Sequence, residues 1–357
     1  MQWVAALLFA VALAHTFATP VFHHLARKHP RHAGAFHLLA EVEAVFGCWA
    51  MIMMVCMFFL VGKAGALAYL DTREFTEPLF VFAVMVVAAS RPIVEAASHL
   101  VRWASAILPV PRPLSLSFCL LALVPLLGSL ITEPAAMTLA AMLLRDRFFS
   151  AGLSTRLRYA IVGCLFVNIS IGGLLTPFSA PPVLMVAAKW GWDIGFMLST
   201  FGWKAAIAVA INAVILAWLF RSEIMRVPMK ELPEAERRPS CPPLVTGMSL
   251  LFLFGIVFFA HNAEVYLGLL IFFLGFAHAY PQYQDRLILR EAFLIPFFLA
   301  GLVVLGGQQQ WWLKPLLLSM SDTQVFFGAV ALTAVTDNAA LTILANFAKS
   351  ARISADN

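Results

Sequence analysis

Apolar runs of roughly bilayer-spanning length, about 20 residues each, follow one another from Gln2 to Phe347 with only short polar stretches between them. Their spacing predicts helices near 3–22, 36–61, 78–101, 159–189, 193–220, 244–260, 263–280 and 291–312. Two further apolar segments do not fit single crossings. Ser115 to Phe149 carries Thr132, Glu133 and Pro134 in its middle and has basic residues at both ends: Arg102 and Arg112 before it, Arg145, Arg147, Arg156 and Arg158 after it. If both flanks are cytoplasmic, the segment enters and leaves on one side, as a re-entrant hairpin. Ser321 to Phe347 is the second such run, again interrupted by a polar tripeptide. The expected fold is an all-α integral membrane protein of about 8 spanning helices plus two re-entrant hairpins.

Composition supports that placement. The chain is 62% hydrophobic and 12% charged, against a charged share of roughly 25% in soluble domains. The net charge of +5 comes from basic residues in short loops, the distribution of cytoplasmic loops rather than of a nucleic-acid surface. The first run, Trp3 to Phe22, is followed rather than preceded by its basic cluster (Arg27, Lys28, Arg31). It is expected to be a retained first helix with its amino end outside. The five cysteines show no close spacing of a zinc or redox motif and are expected to pack as apolar residues.

The two hairpins resemble each other. Thr132-Glu133-Pro134-Ala135-Ala136-Met137-Thr138 laid over Thr336-Asp337-Asn338-Ala339-Ala340-Leu341-Thr342 matches four residues identically, and keeps acidic and apolar character at two more. Counting crossings places the second hairpin on the outer side. Two related hairpins entering from opposite faces predict an inverted-repeat secondary transporter with its site near the midplane. Within the first repeat, Asn168 to Pro182 holds two glycines and three prolines, which cannot continue a helix. A broken helix is therefore expected near 159–189. Adding the 204-residue offset to Asn168 puts its counterpart past Asn357, so the sequence is expected to be a fragment lacking a last broken helix. The organisation reads as two N-terminal spans (1–77), a first repeat (78–220), a cytoplasmic linker (221–243) and a second, truncated repeat (244–357) with its hairpin near 321–348.

Glu41, Glu43, Glu95, Glu133 and Asp337 lie inside these segments or at their tips. At about 2.5 to 3.5 kcal/mol each, such a set costs on the order of 10 kcal/mol or more in a bilayer, so function or pairing must retain it. Half-helices that end at mid-membrane expose carbonyls, and those that begin there expose amides. Carbonyls with Glu133 or Asp337 make a hard oxygen site suited to Na⁺, with Thr132, Thr336, Thr176, Ser179, Asn168 and Asn338 as neutral oxygens. Each of these could instead cap a broken helix. Burial penalises a charged carboxylate, so one group can hold either Na⁺ or a proton, which gives exchange at a single site. Arg91 is an equally good structural partner for Glu95, and Arg91 and Lys204 can neutralise others of the acids.

His37, His99, His261 and His278 are scattered without metal spacing. His23, His24, His29 and His32, beside Arg27 and Lys28, are expected in a solvated cytoplasmic loop, with pH sensing as a second reading. Trp311 and Trp312 with Lys314 mark an interface anchor. An intramembrane hydrolase would need paired aspartates or an HExxH motif, and neither is present; the chain is not expected to be an enzyme or to carry a cofactor beyond transported Na⁺ and H⁺.

Four motifs carry a family resemblance: Phe36-His-Leu-Leu-Ala-Glu41-Val-Glu43-Ala-Val-Phe-Gly47, Leu130-Ile-Thr-Glu133-Pro-Ala-Ala-Met-Thr138, Gly172-Gly-Leu-Leu-Thr-Pro-Phe-Ser-Ala-Pro-Pro182, and Thr336-Asp337-Asn-Ala-Ala-Leu-Thr342. Through them the chain resembles the bacterial putative Na⁺/H⁺ antiporters of the ion transporter superfamily. The resemblance implies a multi-pass protein of the bacterial cytoplasmic membrane that exchanges a small cation for protons, with lipid around it and no nucleic-acid partner. Superfamily kin include citrate, dicarboxylate and arsenite carriers, so a Na⁺-coupled carboxylate or oxyanion symporter is the alternative; acidic tips favour the cation. Transporters of this layout are often dimers, so a homodimer is admitted.

Overall fold

The computed structural model describes residues 1–179, 183, 186–187, 190–228 and 240–333. The regular elements among them are all helical. Among the described residues, four helical stretches are long and apolar enough to cross a membrane: Val42–Asp71, Arg112–Ile131, Thr155–Leu175 and Ile194–Leu219. Counting each of three bent pairs as one broken span brings the number to at most seven. Pro243–Phe258 and Ala263–Ala279, both expected as spans, have 16 and 17 residues, short of the usual span of about 20. This is an α-helical multi-pass membrane protein. Backbone contacts group the chain into two compact units, Met1–Phe82 with Leu289–Asn357, and Ala83–Ile288.

In the first unit, α1 (Gln2–Thr16) is followed by α2 (Thr19–Lys28) at an angle of 69°. Pro20 has no N–H to give the Thr16 carbonyl, so the helix bends rather than running on to residue 22 as the apolar run implied. Arg27 and Lys28 with their neighbouring histidines are not in an extended loop. They sit in α2, in a short 3₁₀ turn (Pro30–His32) and in α3 (Ala33–Ala40). The expected helix at 36–61 is interrupted at Glu41, which is extended (φ −78°, ψ 117°) between α3 and α4 (Val42–Asp71). Gly62 kinks α4 at φ 81°, ψ 167°, a conformation that glycine alone adopts without strain.

Helix α4 packs on α16 (Leu289–Gly307; α5 to α15 are introduced below) through Gly47 and Gly301. A Cβ on Gly301 would meet the backbone of Phe46 and Gly47, and one on Gly47 would meet the Phe297 ring. Small residues here let two helix backbones touch, as bilayer helices do where lipid supplies no hydrophobic drive to associate. Two polar side chains enclosed near this packing are hydrogen-bonded. Tyr69 donates to the Val304 carbonyl at 2.6 Å. Gln309, fully buried between α16 and α17 (Gln310–Ser319), donates to the carbonyls of Ala5 (3.2 Å) and Leu305 (2.9 Å) and accepts from the Trp312 indole (2.9 Å). Of the expected second hairpin, α18 (Asp322–Thr333) is described; Thr336, Asp337 and Asn338 lie outside the described residues.

The second unit starts within α5 (Thr76–Ala88). After a break at Ser90 come α6 (Arg91–Ile107) and α7 (Arg112–Phe118). Helix α7 continues through a π-helical turn (Cys119–Leu123) into α8 (Val124–Ile131), and α9 (Glu133–Arg147) returns after the single residue Thr132. The break expected at the Thr-Glu-Pro tripeptide is therefore real. Next is α10 (Thr155–Gly172), then α11 (Ile194–Met197), which runs through a second π turn into α12 (Trp203–Leu219) and α13 (Arg221–Ile224). Helices α14 (Pro243–Phe258) and α15 (Ala263–Ala279) pack on each other. Of the most apolar stretch of Arg112–Ile131, 61% is buried, against 39% for Thr155–Leu175 and 28% for Ile194–Leu219. The incoming arm of the hairpin is thus the most enclosed of these three stretches.

Replacing Gly301 with valine is expected to destabilise the purified protein by about 1 to 3 kcal/mol, the range for overpacking. Gly247→Val, where a Cβ meets no atom within 4 Å, serves as the control. Equal thermal midpoints for the two variants would contradict the close approach of α4 and α16.

Candidate functional site

The site is assembled where the tip between α8 and α9 meets the end of α10. Thr132 has φ 72° and ψ 151°, the only positive φ outside glycine among the described residues. A β-branched side chain avoids that region, so the conformation must be imposed by its surroundings. Thr132 is 5% exposed, and its carbonyl accepts the Ala136 N–H at 3.1 Å. The turn lets α9 begin at Glu133, whose N–H is directed at the Ser179 carbonyl, 3.5 Å away. Pro134 follows in the first helical turn, where its missing donor costs nothing.

Glu133 thus stands at a helix N-terminus, the end that favours negative charge. Its carboxylate lies against Gly173: a Cβ there would collide with Glu133 Oε1 and come within 3.1 Å of Ser179 Oγ. Carboxylate and hydroxyl therefore share one small space, and a glycine keeps it open. Helix α10 stops at Gly172, passes through a single 3₁₀ turn (Gly173–Leu175) and becomes extended at Thr176 (φ −130°, ψ 155°). Gly172 is also sterically required, since a Cβ would lie 2.5 Å from the Pro125 carbonyl oxygen.

One residue that was not singled out in the sequence ties the tip to the break. Ser129, on α8 one turn before Thr132, is 1% exposed. Its hydroxyl donates to the Gly172 carbonyl at 2.6 Å and accepts the Leu175 N–H at 3.1 Å, while its carbonyl accepts from the Thr176 hydroxyl at 2.5 Å. Two backbone groups freed by the unwinding of α10, and the Thr176 hydroxyl, are satisfied by one serine. A hydroxyl in an otherwise apolar helical arm, beside the small Gly128, was the available signal, because buried hydroxyls seek partners. Ser179 Oγ in turn donates to the Gly173 carbonyl. With their protons committed to carbonyls, Thr176 and Ser179 have only lone pairs left to offer, which suits a hard cation.

Asn168 has a different place. Fully buried, it donates to the Leu121 carbonyl at 2.6 Å and the Val209 carbonyl at 3.2 Å, and accepts from Asn212 at 2.9 Å. Pro125 has no N–H for the Leu121 carbonyl four residues back, so the Asn168 amide substitutes for it. The side chain acts as a strut between α10, α12 and the π-helical turn that precedes α8.

Glu95 has partners of its own. It lies 3.7 Å from Arg91 and 3.6 Å from His99, and it accepts the Cys241 N–H at 3.2 Å. Cys241 Sγ is directed at the Tyr283 carbonyl, 3.7 Å away, and Arg91 also donates to the Gln282 carbonyl at 3.3 Å. Burial pushes the Cys241 thiol up to about 11, and the adjacent Glu95 adds to the shift. Thus Glu95 joins α6 to the segments at 241 and 282–283. Glu41 and Glu43 belong to the other unit, at the α3–α4 break, and both are half-buried. No group of three or more His, Cys, Asp or Glu among the described residues could hold a metal ion.

A multi-pass helical protein in which a carboxylate at a hairpin tip is seated against a broken helix belongs, by class, with the transporters. The chain matches the model of the family described as Putative Na+/H+ antiporter over residues 1–355, and it belongs to that family. No curated protein matches it.

Ser129→Ala is expected to lower stability by about 1 to 3 kcal/mol, the cost of leaving buried backbone groups unpaired. Asn168→Leu, which strands two carbonyls and the Asn212 amide, should cost at least as much. Chemical denaturation of the detergent-solubilised protein measures both, and parental stability of both variants would show that these networks are not needed.

Proposed function

We propose that this protein exchanges Na⁺, or another small cation, for protons across the bacterial cytoplasmic membrane by alternating access, without acting as an enzyme. The observation that supports the reading best is the seating of the Glu133 carboxylate against Gly173 and Ser179 at the junction of hairpin tip and helix break. A carboxylate with hydroxyl lone pairs around it can replace part of the hydration shell of Na⁺. The same carboxylate is neutralised equally well by a proton, so binding of one ion excludes the other.

On this reading Thr132 orients the carboxylate, Thr176 and Ser179 supply neutral oxygens, and Asn168 holds the scaffold. Asp337, with Thr336 and Asn338, is the counterpart by sequence in the second repeat. Glu41 and Glu43, at a helix break of their own, supply a second pair of acids for the proton path. Exchange follows if the two hairpins alternately open the cation to one side and then the other. A homodimer surrounded by lipid is the assembly in which this would occur.

The test uses everted membrane vesicles holding equal amounts of each variant, with the collapse of an imposed pH gradient on Na⁺ addition as readout. Glu133→Gln and Asp337→Asn are each expected to slow the collapse about tenfold or more, whereas Glu95→Gln should retain most of it. Gly173→Ala, which intrudes on the carboxylate, should raise the Na⁺ concentration for half-maximal rate. If both acid variants exchange at the parental rate, the ion is held elsewhere. Uptake of labelled citrate or succinate by the parent would favour the Na⁺-coupled symporter instead.

A further inference from the structure

The first forty residues contain no Asp or Glu, yet carry Arg27, Lys28, Arg31 and six of the nine histidines. The structure gathers most of that charge on one surface. Along α2, Val21, Phe22, Leu25 and Ala26 fall on one helical arc, and His23, His24, Arg27 and Lys28 on the other. Ala26 is buried, and Phe22 stacks on His15 of α1 at 4.4 Å between ring centroids. Helix α3 folds back against α2, with His37 facing His23 at 6.0 Å and His29 near Phe36 at 6.0 Å. His23, His24, Arg27, Lys28, His29, Arg31, His32 and His37 are all exposed.

We infer that this α2–α3 hairpin is a docking surface for the headgroups of anionic phospholipid in the adjoining leaflet, and that acidification strengthens the contact. The occupant follows from charge and geometry together. A helix turned 69° from the apolar α1, with one apolar and one basic arc, has the form of an interfacial helix. Juxtamembrane basic clusters are drawn to the negative surface of an anionic leaflet. Eight exposed basic side chains without an acidic neighbour in the hairpin make the match one-sided.

Histidine gains its charge between about pH 5 and 8. Five exposed histidines share this face with Arg27, Lys28 and Arg31, and the His23 and His37 rings lie 6.0 Å apart. The acids nearest in sequence are Glu41 and Glu43, at the start of α4, against which α3 packs. His15 is buried, away from this exposed face. Trp49 donates to its Nδ1 at 3.0 Å, which leaves Nε2 to carry the proton toward the Leu39 carbonyl at 3.0 Å. That bond also connects the hairpin to the break at Glu41: α2 leans on the His15 ring, and His15 holds a carbonyl two residues before the acid.

The test is hydrogen–deuterium exchange of the full chain in nanodiscs of phosphatidylcholine, alone or with a third phosphatidylglycerol, corrected for the chemical exchange rate. Backbone amides of 19–32 are expected to exchange several-fold more slowly with phosphatidylglycerol, and the slowing to be larger at about pH 6 than at about pH 8. The triple variant R27Q/K28Q/R31Q should lose most of the slowing at both pH values. The variant H23Q/H24Q/H29Q/H32Q/H37Q should keep it at the higher pH and lose the acid increment. Unchanged exchange in α10 serves to show that each variant is folded. Equal exchange in the two lipids overturns the proposal, as does full slowing in the triple variant. If inorganic pyrophosphate added to phosphatidylcholine discs gives the same protection, the partner is a soluble anion and the lipid assignment fails.

Discussion

A backbone group that leaves its helix inside a membrane protein has no water to turn to, and the rest of this structure depends on how that constraint is met. Helix α10 unwinds at Gly172, and Ser129 takes up the freed Gly172 carbonyl and Leu175 amide while its own carbonyl receives Thr176. Pro125 deprives Leu121 of its helical donor, and Asn168 replaces it. These are not separate repairs. Gly172, Pro125 and Ser129 lie at one contact between α8 and α10, so the break in one helix and the defect in the other stabilise each other. Removing either should leave the other exposed to the full cost of an unpaired buried group.

The same contact explains why a strained residue can hold the hairpin tip. Thr132 adopts a positive φ that its β-branched side chain resists, at a cost of the order of 1 to 3 kcal/mol. The neighbouring α8–α9 packing and the approach of Ser179 enforce it. The result is a carboxylate at the start of α9, beside a glycine on which a Cβ would collide with it. One set of contacts thus fixes both the tip and the carboxylate that it carries.

In the other unit the constraint appears as close backbone approach rather than as unwinding. Gly47 and Gly301 bring α4 and α16 into contact, and Tyr69 and Gln309 occupy the polar groups around that crossing. The break at Glu41 is milder: it is one extended residue, with the Leu39 carbonyl taken by His15. At the bend between α1 and α2, the exposed surface carries basic side chains rather than buried partners.

The sequence alone determined that this chain is helical and belongs in a bilayer, because hydropathy runs of span length need no tertiary information to be read. It also determined where helices stop: Thr132-Glu133-Pro134 and the Gly172 to Pro177 stretch break regular backbone by local sterics, and the structure breaks there. The family was legible for the same reason, in the hairpin and broken-helix motifs. What local chemistry could not decide was which side chains meet. Ser129 looked like any hydroxyl in an apolar helix, and its role exists only once α8 lies on α10. Asn168 looked like a ligand oxygen and is a strut, since its partners come from helices 47 and 41 residues away. For Glu95 the sequence offered Arg91, one helical turn away, but only folding placed the Cys241 amide beside it. The basic stretch at 23–32, read as a loop from its polarity, is mostly helical because its apolar arc packs on His15 and α3. Hydropathy and breaker residues act along the chain and are visible in it; partners for polar groups come from distant segments, and only the packed helices select them.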